Sequence, residues 1–319
     1  MNTKRLVCLV LVINGLIVGP ASLHAQHYPA GSEGIKAASL PSPGIYLKDY
    51  NAFYYADQIP GFNGEFESGK GFDTFTYTQA PRLLWMTDWK LFAANYGVGL
   101  RIPFVYKTAT AKVPVIPPGG FPAGSLSKTE SHFGLGDIEM EPVILSWHLK
   151  QFDIVGGYSI WAPTGDFDKG RFFLVNLGNG NWTHMFTFGA TWYPDEEKTW
   201  ALSFLNRYEI NTVQYSGLYG TGVRRDTTPG DDYTLEWAFS KAITKTVDIG
   251  IVGYYQQQVT DTQGPTFMTQ KFHIAGVGPE ANVMYEKWGL SGSLRYAYEF
   301  SASEHPQGHT IALTLTKSF

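Results

Sequence analysis

The chain has 319 residues, a formal net charge of −4 at pH 7 and an aromatic content of 15%. This slight acidic excess argues against a nucleic-acid partner, which would need clustered basic residues. The only cysteine, Cys8, lies in an N-terminal apolar run, so the rest of the chain can form no disulfide, thiolate nucleophile or zinc–thiolate site.

Residues 1–25 predict a secretory signal peptide. Lys4 and Arg5 form its positive start, residues 6–18 form its apolar run, and we expect cleavage after Ala25. The apolar run is shorter than the ~20 residues that a membrane-spanning helix needs. No apolar run of 18 residues follows it, which excludes helical membrane spans from the rest of the chain.

Residues 26–43 contain too many small residues and prolines for a spanning strand. Two interpretations remain open. The segment either folds into the lumen of the barrel predicted below, as a hatch, or trails in the periplasm, since chain-terminal segments are often loosely ordered.

Residues 44–319 alternate between apolar and polar with a period of two, which is the pattern of strands rather than helices. Between Leu290 and Phe300, for example, apolar side chains occupy one face and Arg295 lies on the other. The predicted strands span 44–55, 72–87, 91–106, 131–149, 151–164, 181–194, 199–213, 231–243, 247–259, 270–286, 289–302 and 307–319.

The intervals between these strands alternate between long and short, with short ones near Asp88, Lys150, 195–198, 244–246 and Lys287. The last interval, near Glu304, is the exception, because it is short where a long one is expected. An even strand number with this alternation is typical of outer-membrane barrels. Tryptophans cluster near the short intervals, as an interfacial aromatic girdle requires. They are Trp85, Trp89, Trp147, Trp192, Trp200 and Trp288. We therefore predict an all-β fold, a transmembrane antiparallel up-and-down β-barrel of about 12 strands with long extracellular loops and short periplasmic turns.

The C-terminal stretch HTIALTLTKSF alternates strictly and ends on Phe319. We expect this strand to close the barrel against the first one. The terminal aromatic is predicted to be the signal that the barrel assembly machinery reads. The localisation that follows is the cell outer membrane, with lipid and lipopolysaccharide as surrounding partners.

Three stretches, HYPAGSEGIKAASLPSPGIYLKDYN, FGLGDIEMEPVILSWHL and GGYSIWAPTGDFD, resemble the outer-membrane proteins linked to the meta-pathway of phenol degradation. They are spread over most of the chain. The resemblance implies a barrel that passes small, often aromatic, molecules into the periplasm. It fixes no substrate and carries no catalytic residues.

The polar faces of the predicted strands carry charges of both signs, which we expect to point into the lumen because charge on the lipid face is costly. These charges either line a selective channel or form ion pairs that plug it. Asp137, Glu139 and Glu141 share one face, which a bulge near Pro142 would then switch. We expect the three to pair with arginines rather than bind a cation. The predicted lining residues are Arg82, Arg101, Asp137, Glu139, Glu141, Asp153, Arg207, Glu209, Glu236, Asp248, Arg295 and Glu299.

Aromatic residues in the long loops, Phe121, Phe167, Phe172 and Phe173, either capture apolar solutes at the barrel mouth or form loop cores. No cofactor, metal or enzyme activity is predicted, since HExxH and GxSxG motifs are absent from the sequence. The favoured function is a channel for small apolar or aromatic molecules. A phospholipase-like hydrolase built around His148 or His273, a general diffusion porin and a soluble β-sandwich remain as alternatives.

Overall fold

The computed structural model describes residues 26–59, 71–114, 125–168, 175–214, 226–264 and 271–319. The predicted signal peptide lies outside these ranges. A 3-10 helix spans Glu286–Trp288, and no helix in the described ranges is long and apolar enough to cross a membrane. The strands are β1 (Gly44–Gln58), β2 (Phe72–Leu91), β3 (Ala94–Arg101), β4 (Phe104–Pro114), β5 (Ser125–Leu135), β6 (Ile138–His148), β7 (Phe152–Ala162), β8 (Thr183–Trp192), β9 (Trp200–Asn211), β10 (Asp232–Ala242), β11 (Val247–Gln258), β12 (His273–Tyr285), β13 (Leu290–Ser303) and β14 (Gln307–Ser318).

These segments form a closed antiparallel barrel of 12 strands. Strand β1 pairs with β2 on one side and with β14 on the other, which closes the sheet. Strands β3 and β4 both pair with β2 and form one wall strand with a break. Strand β5 pairs with β4 and β6 pairs with β3, so β5 and β6 form a second wall strand with a break. The predicted fold class is confirmed, and the soluble β-sandwich is excluded.

The two broken strands are where the sequence interpretation went wrong. At the break between β3 and β4, Ile102 donates its backbone N–H to Pro81 O at 3.0 Å. At the break between β5 and β6, Gly136 donates its backbone N–H to Pro103 O at 2.8 Å. A single backbone hydrogen bond thus bridges each break. Pro103 has no N–H to continue a regular ladder. Above the breaks, β4 and β5 run on as a hairpin, so the predicted long loop over 107–130 contains strand at both ends.

Most short connections lie at one end of the barrel, called the turn end here, and the opposite end is the loop end. The exception is the link of residues 304–306 between β13 and β14, which is short and lies at the loop end. The first turn is Phe92–Ala93, where both residues have positive φ (52° and 64°), rather than near Asp88 as predicted. Strand β2 is therefore longer than its sequence pattern indicated. Trp89 lies exposed at this end, and so do Trp192 and Trp288 beside two of the other short turns.

The outer face of the barrel carries the apolar residues, as lipid contact requires. Leu294, for instance, is 58% exposed, whereas its neighbour Arg295 is 5% exposed and points inward. Asn206 lies on the apolar outer face, where Tyr233 Oη donates to its Oδ1 at 2.7 Å and its Nδ2 donates to Phe188 O at 3.2 Å. Its polar atoms therefore have partners without water.

The C-terminus completes the closure. Phe319 donates its backbone N–H to Ile45 O at 3.0 Å, just beyond the β1–β14 ladder. Its side chain is 75% exposed at the turn end. The terminal aromatic thus lies where an interfacial girdle would be.

Candidate functional site

Residues 26–43, the N-terminal segment, lie inside the barrel. From Gln26 the chain runs through the lumen towards the turn end, where it enters β1 at Gly44. Tyr28 is fully buried there, donates its hydroxyl to Glu236 Oε2 at 2.8 Å, and has the Arg207 guanidinium 3.8 Å over its ring. Near the turn end, Ser39 Oγ lies 2.8 Å from Tyr193 Oη. The segment therefore fills a long part of the lumen.

The backbone of the segment is irregular, so its N–H groups need acceptors that no ladder supplies. Inward carboxylates of the wall supply them. Glu209 Oε1 accepts from the backbone N–H groups of His27 and Tyr28, both at 3.1 Å. Glu236 accepts from Glu33 N and Glu280 from Ile35 N, again at 3.1 Å. The lumen acids thus hold a peptide segment in place.

All of the predicted lining residues point into the barrel, and most are buried. Arg82 binds Glu141 through two hydrogen bonds of 2.6 and 2.7 Å. Arg101 lies 3.2 Å from Glu139. These pairs are the expected arginine partners of the acidic cluster. Two further pairs within the wall are Arg207–Glu236 at 2.6 Å and Arg295–Glu280 at 3.6 Å. Asp248 instead pairs with Lys36 of the N-terminal segment, at 3.0 Å.

Asp137 differs from its two acidic neighbours because it binds no arginine. Its Oδ2 lies 2.9 Å from His27 Nε2 and accepts from Asn179 N at 2.7 Å, while Oδ1 accepts from Gly165 N at 2.8 Å. Asp137 therefore joins the N-terminal segment to two loop stretches that fold over the lumen. Beyond it, the ladder register shifts around Pro142, which produces the predicted change of face.

Two further lining residues bind tyrosines and histidine rather than cations. Glu299 accepts from Tyr254 Oη at 2.8 Å and from Tyr54 Oη at 2.9 Å. Asp153 accepts a hydrogen bond from Tyr193 Oη at 2.7 Å. Burial, and to a smaller extent this hydrogen bond, raise the pKa of Tyr193 well above its usual range. These hydrogen bonds satisfy both carboxyl groups without an arginine or lysine partner in the described part of the chain.

At the loop end, Phe167 is half-buried and its ring packs against Gly180, whose φ is +70°. A side chain at that glycine would collide with the ring, so the contact favours a loop core at this position. Phe121, Phe172 and Phe173 lie outside the described residues. In the same region, burial lowers the pKa of His305 to about 4. Within the described ranges, no cluster of His, Cys, Asp or Glu could hold a metal ion.

Sequence reasoning missed three residues that join the segment to the wall, namely Lys48, Glu280 and Tyr28. Lys48 lies 2.5 Å from Glu33 and was overlooked, although its inward parity can be read from the outward Leu47 beside it. Glu280 stands directly opposite Arg295 in the β12–β13 register, a pairing that the sequence alone does not give. No pattern in the sequence identified Tyr28 as an anchor.

A cavity of about 610 Å³ occupies the turn half of the lumen, beneath the N-terminal segment. Its charged lining residues include Glu33, Lys48 and Arg82. Its apolar lining residues include Leu40, Leu84, Ile144, Val155 and Leu205. The space therefore offers an apolar surface beside fixed charges.

The family model described as "Putative MetA-pathway of phenol degradation" matches residues 57–315, most of the chain. The chain belongs to this family. The earlier resemblance is thereby confirmed. No curated protein shows significant sequence similarity to this phenol-degradation family member.

One solved structure shares the fold of this family member, and others are less similar to it. An outer membrane channel from Pseudomonas putida F1 has a TM-score of 0.69 and 15% identity, covering 92% of this chain and 100% of that chain. A FadL homologue from Pseudomonas aeruginosa has a TM-score of 0.43 and 10% identity, covering 94% and 98%. The NanC porin has a TM-score of 0.43 and 8% identity, covering 86% and 100%. The first match identifies the fold as that of an outer membrane channel.

Proposed function

We propose that the protein resides in the outer membrane and carries small apolar or aromatic molecules, of the kind consumed in phenol degradation, into the periplasm. In this proposal it is not an enzyme. The turn end faces the periplasm, the outer face contacts lipid and lipopolysaccharide, and the barrel assembly machinery reads Phe319. The N-terminal segment acts as a hatch that must move for a solute to pass.

The observation that carries this proposal is the cavity beneath the segment. Its volume of about 610 Å³ falls in the usual range of small-molecule pockets, roughly 300–1,000 Å³. Leu84 and Ile144 form a buried apolar cluster on its wall, with Leu40 of the segment packed against them. An aromatic ring would find apolar contact there. Family membership supports the same class of solute.

The test is uptake of a radiolabelled aromatic acid, or of a bulky neutral aromatic, by cells with and without the gene. The concentration is kept low so that entry through the outer membrane limits the rate. Phenol itself is unsuitable because it crosses lipid unaided. We expect uptake to fall severalfold without the gene, while uptake of a large sugar stays unchanged. Unchanged aromatic uptake, together with a large non-selective conductance in planar bilayers, would replace this function with that of a general porin.

A second candidate, a hydrolase, rests on one geometric observation at the turn end. Ser146 Oγ lies 3.2 Å from His148 Nε2, and His148 Nδ1 lies 2.9 Å from Asp153 Oδ1. This is the order of a nucleophile, a base and an orienting acid. Ser146, however, is only 1% exposed, so a substrate carbonyl cannot reach its hydroxyl as it stands. Labelling by a fluorophosphonate probe that is lost in Ser146→Ala would establish the hydrolase.

A further inference from the structure

The side chain of Glu33, in the N-terminal segment, lies in a cationic pocket of the barrel wall. Lys48 Nζ is 2.5 Å from Oε2, and Tyr50 Oη donates to Oε1 at 2.6 Å. Arg82 and Arg101 approach Oε1 at 3.8 and 3.7 Å. Burial alone would raise the pKa of Glu33, but Lys48 and the arginines outweigh it and hold the pKa well below its usual range. The carboxylate is therefore ionised in this pocket.

At this pocket the cations of the wall outnumber the carboxylates of the wall. Its two arginines each have a wall carboxylate, Glu141 and Glu139. Within the described ranges, the carboxylate that pairs with Lys48 is that of Glu33 alone. Without the segment, the pocket would hold three cations and two anions. The wall residues of this pocket therefore carry one excess positive charge, which one further carboxylate balances.

The pocket is next to open space and retains hydrogen-bond capacity. Glu33, Lys48 and Arg82 line the cavity described above, beside the apolar Leu84. The buried Nε of Arg101 has no hydrogen-bond partner among the residues that the structure describes. A ligand with a carboxylate and an apolar body in this cavity would meet the cations Lys48 and Arg82 together with the apolar Leu84.

We propose that Glu33 stands in for the carboxylate of a solute, and that Lys48, Tyr50 and the two arginines form a binding subsite for small aromatic carboxylates. This inference rests on the proposed function and names the solute class that the lumen recognises. A solute carboxylate competes with Glu33 for the same donors. When the solute carboxylate displaces Glu33, the ion pair between Glu33 and Lys48 that holds the N-terminal segment in the lumen is lost.

The test is equilibrium dialysis of radiolabelled benzoate against the purified full-length barrel in detergent, with benzamide as the uncharged probe. Glu33→Gln keeps the shape of the side chain but removes its charge. We expect it to bind benzoate at least ~10-fold more tightly than the wild type, the lower end of what a close charge pair contributes. Benzamide binding should not change. The gain should disappear in Glu33→Gln combined with Lys48→Met.

Glu196→Gln is the matched control, because Glu196 forms an exposed ion pair with Lys150 at the turn end, outside the lumen. It should bind benzoate as the wild type does. Glu33→Asp retains the charge on a shorter side chain and should give an intermediate affinity. Each variant is first shown to be folded by its mobility shift on unheated gels.

Benzoate binding that is equally tight in wild type, Glu33→Gln and Glu33→Asp would overturn the subsite. So would a gain that survives Lys48→Met. Neither result depends on uptake by cells. If the dialysis succeeds and gene-dependent uptake fails, the subsite stands and the proposed transport function falls. If uptake succeeds and the dialysis fails, only the subsite is wrong.

Discussion

Leu294 and Arg295 are adjacent residues of β13 that face opposite sides of the barrel wall, so substituting each tests the register directly. Leu294 pairs with Leu313 and is 58% exposed on the outer face. At a rise of ~3.3 Å per residue and a tilt of ~40°, it lies roughly 10 Å from the start of β13 at Leu290. That places it well inside an apolar band ~25 Å tall.

Leu294→Arg should therefore destabilise the inserted barrel by about 2–4 kcal/mol, the cost of a lipid-facing arginine near mid-depth. The alternative Arg295→Leu leaves the lipid face intact. It removes a donor to Ser32 O, at 3.0 Å, and the partner of Glu280, at 3.6 Å. Glu280 lines the cavity and can be hydrated there, so the loss falls on the docking of the segment rather than on insertion.

The assay is folding of urea-denatured protein into lipid vesicles, with the folded fraction read from the unheated gel band. The free energy of folding should drop by about 2–4 kcal/mol for Leu294→Arg. For Arg295→Leu the folded fraction should stay near wild type, while the single-channel conductance rises. Leu294→Ala serves as a control for loss of the side chain. Equal folding losses in Leu294→Arg and Arg295→Leu would refute the assigned faces.

Two further predictions concern the turn end. Phe319→Ser should lower the amount of heat-modifiable barrel per total protein, whereas Phe92→Ser, at an exposed turn tip, should not; equal yields would mean that the terminal aromatic is incidental. Hydrogen bonds from the side chain of Thr199 and the backbone N–H of Trp200 lower the pKa of Asp195 to about 2. Because this pKa is depressed, its contribution to stability is present above the ordinary carboxyl pKa of ~3.9 and is lost as the pH falls towards 2. Asp195→Asn should thus unfold at lower urea than the wild type at pH 6 and at the same urea near pH 2, and a gap that persists at pH 2 would contradict this.

Period-two alternation was sufficient to predict the barrel because each strand has one face against lipid and one against the lumen. The same parity placed Arg207 and Glu236 inward. It failed where a strand breaks without changing its alternation. Ile102 and Pro103 continue the alternation of β3 into β4, so the alternation does not show the point at which β2 changes partners. The sequence signal at that point is Pro103, which cannot donate to a regular ladder.

The contacts of the N-terminal segment could not be predicted for a different reason. Tyr28 meets Glu236, and Glu33 meets Lys48, only because the chain doubles back into a closed barrel. Such contacts carry no periodic signal. Small residues and prolines excluded a strand over 26–43 but left both the hatch and the trailing chain open.

The position of this segment also resolves a conflict in the sequence. A lumen carrying so many charges suits polar solutes, whereas the proposed function requires apolar or aromatic ones. In the structure the charges are already engaged. Glu209, Glu236 and Glu280 accept hydrogen bonds from the backbone of the segment. Arg82 and Arg207 form ion pairs with Glu141 and Glu236 of the wall. An irregular peptide enclosed in a barrel requires such acceptors, since an unpaired buried N–H is costly. The charge of the lumen is therefore explained largely by the segment it holds, and the surface left for a solute is the apolar wall beside the pocket of Lys48.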